Sequence, residues 1–253
     1  MNTDKAYASA QADSTNQVVR VGGAALIVGA IAFMAVFLFL AARFNYPAVL
    51  DGRASQVLPS LLATGEMGRA VWAIYSLLPL LWIPAGVGAF HALRAKNEGA
   101  MRVGMLFAVV SALAMTFGLM RWPSFHWELA VTWSTADAST RSALDAVFNA
   151  TNRYLGNYIG EFLGELSLNV FFLLAAVAML RRGSGFARWT GWLGVLAATI
   201  GLVSMFRNTA DFLGPVAEVN NYLLPLWMVV FGIGLIRQRK NLSQVPQLVP
   251  AAA

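Results

Sequence analysis

Seven polar residues recur at every fourth position through one stretch of the chain: Asp145, Asn149, Arg153, Asn157, Glu161, Glu165 and Asn169. A four-residue step along an α-helix turns by about 400°, so each side chain is displaced about 40° from the last and the whole series spirals. Asn157, Glu161 and Glu165 nevertheless share a face. Two neighbouring carboxylates can do general acid–base work if desolvation raises one of them. They can also line a polar pocket for a small molecule or ion, or form a satisfied network that fixes helix positions. Residues at the outer end of the series, Arg153 and Asp145 above all, can simply lie among lipid headgroups.

An ionisable group at membrane depth is costly in lipid and should face a bundle interior or a water-filled cavity. Candidate countercharges are Arg153 and Arg207, and Asn208, Asp211, Glu218, Asn220 and Asn221 crowd the same outer region. Glu128 and His126 could reach it from a long loop. The candidate polar pocket is therefore Arg153, Asn157, Glu161, Glu165, Asn169, Arg207, Asn208 and Asp211. Gly156, Gly160 and Gly164 form a second stripe about 100° away, a spacing that lets helices approach closely. The stripe is a candidate packing surface for a partner helix. Pro79, Pro84 and Pro225 interrupt two apolar segments and free backbone carbonyls, with Trp82 and Trp227 beside them as cavity walls or buried packing.

Several chemistries lack their residues. There is no cysteine, and the two histidines, His91 and His126, fall in separate regions, so no zinc, copper or bis-histidine haem site is expected. Lys5, Lys96 and Lys240 all lie outside the apolar segments, which leaves no lysine for a retinal Schiff base. No phosphate-binding glycine fingerprint occurs, and Gly183-Ser184-Gly185 reads as a turn. Neither a metal nor a cofactor is expected, and no catalytic residue is assigned.

These side chains must be carried by membrane helices. The chain is 58% hydrophobic and 12% charged, about half the charged share of a soluble domain. The run Val21–Ala42 holds 22 residues without a charge, enough to cross a bilayer. Spans are expected at 21–42, 70–90, 103–120, 160–180, 189–206 and 219–236, making one membrane domain over 20–240. The last span needs its preceding turn to reach across. Residues 1–19 are polar and expected to be a disordered tail, and 241–253 a flexible one. The expected fold is an all-α, six-helix membrane bundle with an additional interfacial helix before span four, or one long tilted helix in its place.

The net charge of +6 reads as topology charge and not as a nucleic-acid surface. Arg94, Lys96 and Arg102, then Arg181, Arg182 and Arg188, then Arg237, Arg239 and Lys240, fall on one side of a six-span bundle. On the other side Arg43, Arg53, Arg121 and Arg141 are offset by Asp51, Glu66, Glu128, Asp137 and Asp145. Both termini are thus expected in the cytoplasm. Trp122, Trp127 and Trp133 open the loop at 121–153, where headgroup contact is expected, and Ser142 with Asp145 could cap its helix.

The segments NRYLGNYIGEFLGELSLNVFFLLAAVAMLRR from Asn152, FARWTGWLGVLAATIGL, VNNYLLPLWMVVFGIGLI and GRAVWAIYSLLPLLWIPAGVGAFHALR resemble the bacterial DUF4386-type family of small multi-pass membrane proteins. The resemblance implies six spans in a bacterial inner membrane and supplies no catalytic residues. The reading that follows is a non-enzymatic membrane protein whose outward polar pocket serves ligand binding, sensing or solute movement. Its ligand is a small molecule or a lipid-like compound, and its surroundings are the bilayer. The alternatives are a membrane enzyme acting on a lipid-like substrate with Glu161 or Glu165 as acid or base, and a structural or regulatory subunit docked through the glycine stripe.

Overall fold

A computed structural model describes residues 2–238, so the tail expected at 241–253, with Arg239 and Lys240, lies outside the described residues. In chain order the helices are α1 (Asn2–Phe44), α2 (Ala54–Ala63), α3 (Gly65–Leu77), α4 (Trp82–Leu93), α5 (Glu98–Met120), α6 (Phe125–Thr135), α7 (Ala138–Thr151), α8 (Gly164–Leu180), α9 (Arg188–Ser204) and α10 (Gly214–Arg237). A π-helical segment, Asn152–Leu163, joins α7 to α8. Short 3₁₀ turns occupy Ala48–Asp51, Leu78–Leu81, Met205–Asn208 and Asp211–Leu213. No β-strand occurs among the described residues.

Among the described residues, six helical runs are long and apolar enough to cross a membrane: Asp13–Phe44, Gly65–Leu93, Glu98–Thr135, Ala138–Leu180, Arg188–Asn208 and Gly214–Arg237. The protein is an all-α, multi-pass membrane bundle. Its outer surface carries Ile31, Leu106, Phe117 and Leu196, each more than half exposed, as a lipid-facing surface requires. The spans form a closed ring in chain order. α1 packs on α4, α4 on α5, α5 on α8, α8 on α9, α9 on α10, and α10 returns to α1.

Local sequence explains where the spans begin and end. The segment expected as a disordered N-terminal tail instead continues α1 back to Asn2, because no glycine or proline interrupts the chain before Gly22. The other end of α1 stops at Asn45, whose φ of 52° is the left-handed conformation that asparagine tolerates at a helix C-terminus. Pro79 breaks the second run into α3 and α4 with one 3₁₀ turn. α10 does take in the turn before its apolar core, starting at Gly214 with Pro215 in its first turn.

The residues before span four make one continuous helical run, Ala138–Leu180. Its start is capped by Asp137, which accepts from the Thr140 backbone N–H at 2.8 Å, in place of the expected Ser142–Asp145 pair. That hydrogen bond holds the Asp137 carboxyl below the usual carboxylate range.

Two apolar cores are stacked along the ring. One holds Trp82, Phe171, Phe172, Trp227 and Phe231 between the spans. The other, near the C-terminal end of α1, gathers Phe44, Leu58, Trp72, Trp122 and Phe148 under α2, α6 and α7. Trp122 and Trp127 are buried there, against the expectation of headgroup contact. Folding α2 and α6 back over the bundle lets Trp122 stack on Trp72 at 4.9 Å, with Phe44 edge-on to both rings.

Candidate functional site

Glu161 and Glu165 converge on one guanidinium. Arg207, in the turn that ends the fifth span, donates from Nη1 to Glu165 Oε2 at 2.7 Å and from Nη2 to Glu165 Oε1 at 2.8 Å. The same Nη2 reaches Glu161 Oε2 at 2.9 Å. Asn208 Nδ2 also donates to Glu161 Oε2, at 2.8 Å, and lies 3.4 Å from the Asn157 carbonyl. The fork matches a carboxylate bidentately, and a planar cation between two anions leaves the trio one net negative charge. Exposures of 23% for the Arg207 side chain, 20% for Glu161 and 23% for Glu165 show that the cluster borders open space.

The π segment aligns these groups. Its i→i+5 bonding places more residues in each turn, so a four-residue step no longer overshoots as it does in an α-helix. Glu161 near the end of the segment and Glu165 just beyond it therefore present side chains to the same guanidinium. Asn169, a turn further into α8, donates from Nδ2 to the Glu165 carbonyl at 2.8 Å, while its Oδ1 is buried without a hydrogen-bond partner.

A cavity of about 610 Å³ lies against this cluster, in the size range of small-molecule sites. Its lining runs from exposed Ala48 and Glu218 at the helix ends down to buried Ala30 and Met228, between the two apolar cores. One wall is polar, with Glu161, Glu165, Asn169, Ser204, Arg207 and Asn208. The facing wall is mainly apolar, with Phe33, Leu78, Trp82, Leu224 and Met228, and carries Glu218, Asn220 and Asn221 toward the start of α10. Pro79 and Pro225 both border it, whereas Pro84 does not. Trp82 lines it too. Trp227 is sealed instead in the core, with its Nε1 donating to the Thr190 carbonyl at 2.9 Å.

Other expected members fall elsewhere. Arg153 is exposed and lines no part of the cavity; it lies two turns nearer the outer end of the helical run than Glu161. Asn157 contributes only its carbonyl. Asp211 opens a 3₁₀ turn, and its side chain lies outside the described residues. Glu128 lies 3.6 Å from Arg69, and His126 is enclosed by Trp122 and Phe148, so neither reaches the cavity. The glycine stripe is buried against α5 of the same chain. A Cβ on Gly160 would come within 3.0 Å of Gly118 Cα, one on Gly164 within 2.5 Å of Met115 Cγ, and one on Gly156 would strike the Arg121 guanidinium. The partner helix expected for the stripe is thus α5 itself, which leaves no face there for another chain.

Arg121 was read from sequence as a topology charge, yet it is 4% exposed and lines the cavity. Its Nε donates to Asn152 Oδ1 at 3.1 Å and its Nη1 to the Gly118 carbonyl at 2.5 Å. Tyr46 and Tyr75 stand nearby with hydroxyls 3.4 Å apart. Burial pushes the Tyr46 hydroxyl up to about 12, although the residue as a whole is half-buried, and Glu161, Arg207 and Arg121 all act on it.

No metal-holding group of three or more His, Asp or Glu residues occurs among the described residues. A family model described as a domain of unknown function, DUF4386, matches residues 21–236. No curated protein and no solved structure matches the chain.

Proposed function

The chain belongs to the DUF4386 family, and we propose that it binds a small molecule inside the membrane, in a pocket opening on the non-cytoplasmic side. The observation that carries this reading is the cavity of about 610 Å³ with an ion-paired polar wall facing an apolar one. A structural network alone has no need of open space beside it. Binding of this kind underlies sensing or solute movement across a bacterial inner membrane.

Orientation follows from charge. The cavity mouth lies at the end of the bundle where α1 and α9 finish and α10 begins, and the connections at 94–97 and 181–187 lie at the other end. Arg94, Lys96, Arg181 and Arg182 fall in those connections, and this positive charge supports a cytoplasmic position for them and for both termini.

The geometry is less suited to an enzyme. Both oxygens of Glu165 are taken by Arg207, and Glu161 Oε2 by Arg207 and Asn208. These contacts occupy the oxygens that a proton transfer to a substrate would use.

Native mass spectrometry of the protein extracted from its membrane tests the proposal. The expected result is a stoichiometric small-molecule adduct that is lost in Ala217→Trp, which places an indole in the cavity lining. An adduct retained unchanged in a folded Ala217→Trp variant would overturn it.

A further inference from the structure

Arg121 is a buried cation that no described carboxylate approaches within ion-pair distance. Three contacts fix it in place: Asn152 at Nε, the Gly118 carbonyl at Nη1, and the Trp122 ring 5.0 Å below the guanidinium carbon. Asn152 is itself anchored, donating to the Leu50 carbonyl at 2.8 Å. The remaining nitrogen, Nη2, has no hydrogen bond among the described residues, and the missing Cβ of Gly156 leaves room for it. A buried guanidinium with an open donor is costly unless an acceptor completes it.

From this arrangement we infer that the cavity takes an amphipathic anion whose single charged head, a carboxylate or phosphodiester, is held by Arg121. This rests on the pocket reading above and names its ligand class. The apolar body lies along Phe33, Leu78, Trp82, Leu224 and Met228, the wall facing the polar cluster. The head carries one charge only. A second would meet the net negative charge of the Glu161–Glu165–Arg207 trio and, at the mouth, Glu218. The free oxygen of Glu161, Oε1, suits a hydroxyl donor on the same head. With Nε and Nη1 already engaged, Nη2 donates a charge-assisted bond to the head.

The chain has no cysteine, so a single reporter at Ala217 can be placed without removing others. The protein carrying Ala217→Cys is reconstituted in digalactosyldiacylglycerol vesicles, which hold no carboxylate or phosphodiester, and treated with a neutral, membrane-impermeant thiol reagent. Dodecanoate, dodecanol, dodecyltrimethylammonium or acetate is added at matched membrane or solution concentration.

Dodecanoate should slow labelling about tenfold more than dodecanol, the ratio given by about 1.4 kcal/mol of charge-assisted bonding. Arg121→Gln should bring the two to parity, and Arg121→Lys should keep part of the difference. Failure of Ala217→Cys to react at all defeats the pocket itself. Reaction without selective protection defeats only the anion site. Equal protection by dodecanol or by the cation would overturn the assignment of charge, and full protection by acetate would overturn that of the apolar body. The comparison among probes holds on the Arg121 protein even if Arg121→Gln fails to fold.

Discussion

Arg207 closes on Glu165 with both terminal nitrogens, at 2.7 and 2.8 Å, joining two spans across 42 positions of sequence. The pair is bidentate, partly shielded, and shares its cation with Glu161. Removing the cation strands two like charges in a low-dielectric wall, whereas neutralising one carboxylate leaves a matched pair. Arg207→Gln should therefore cost about 3 kcal/mol of stability, and Glu165→Gln about 1.5 kcal/mol. Reversible unfolding in mixed micelles measures both, and equal losses would contradict the shared-cation arrangement.

Helix approach at the stripe is set by glycine. Gly118→Ala places a methyl group 2.5 Å from Gly160 Cα, where backbone faces backbone and nothing flexible can yield. The expected loss is about 1–3 kcal/mol, typical of overpacking. Gly99→Ala is the control, since its Cβ would meet nothing within 4 Å. It should be neutral or stabilise by up to about 1 kcal/mol. Thermal unfolding of the two variants distinguishes a close helix contact from a general intolerance of alanine.

Asn152 ties the first long connection to the cavity, accepting from Arg121 and donating to Leu50. Asn152→Ala leaves a buried guanidinium nitrogen and a carbonyl without partners, at a cost of about 1–3 kcal/mol. The accompanying change is local. Limited proteolysis should show faster cleavage within 45–53, and no acceleration there would mean that the tie carries no weight.

The Tyr46 hydroxyl gives a pH signature. Its pKa rises from 10.0 to about 12 through burial, so the folded state holds the proton where the unfolded chain releases it. The stability tied to this neutral hydroxyl is fully present below pH 10 and is lost as the pH rises toward 12. Subtracting the unfolding curve of Tyr46→Phe from that of the unaltered protein over this window should isolate the fall. Parallel curves would show that the hydroxyl is not buried.

The sequence shows the spans plainly because lipid demands long uncharged helices, and Val21–Ala42 leaves no other reading. The convergence of Glu161 and Glu165 on Arg207 is also legible, from four-residue spacing on one segment and a lone arginine at the outer end of another. Arg121 and Tyr46 are not. Each lies beside a loop, where charge and hydroxyl normally meet water; Arg121 is buried and Tyr46 half-buried because α2, α6 and α7 fold back to build a second apolar core. Arg153 fails in the opposite sense. Its spacing matches the series, but it sits two turns nearer the outer end of the run than Glu161 and is exposed there, clear of the cavity.

The central claim is a ligand cavity reached from outside the cell, and accessibility of its floor tests it most directly. Ala30, 2% exposed and far from the mouth, lines the cavity, whereas Ser111 is buried in the bundle away from it. In intact cells a small membrane-impermeant thiol reagent should label Ala30→Cys and not Ser111→Cys, and Ala217→Trp should block the reaction. Labelling of Ala30→Cys no faster than Ser111→Cys, or only from the cytoplasmic side, would contradict the account.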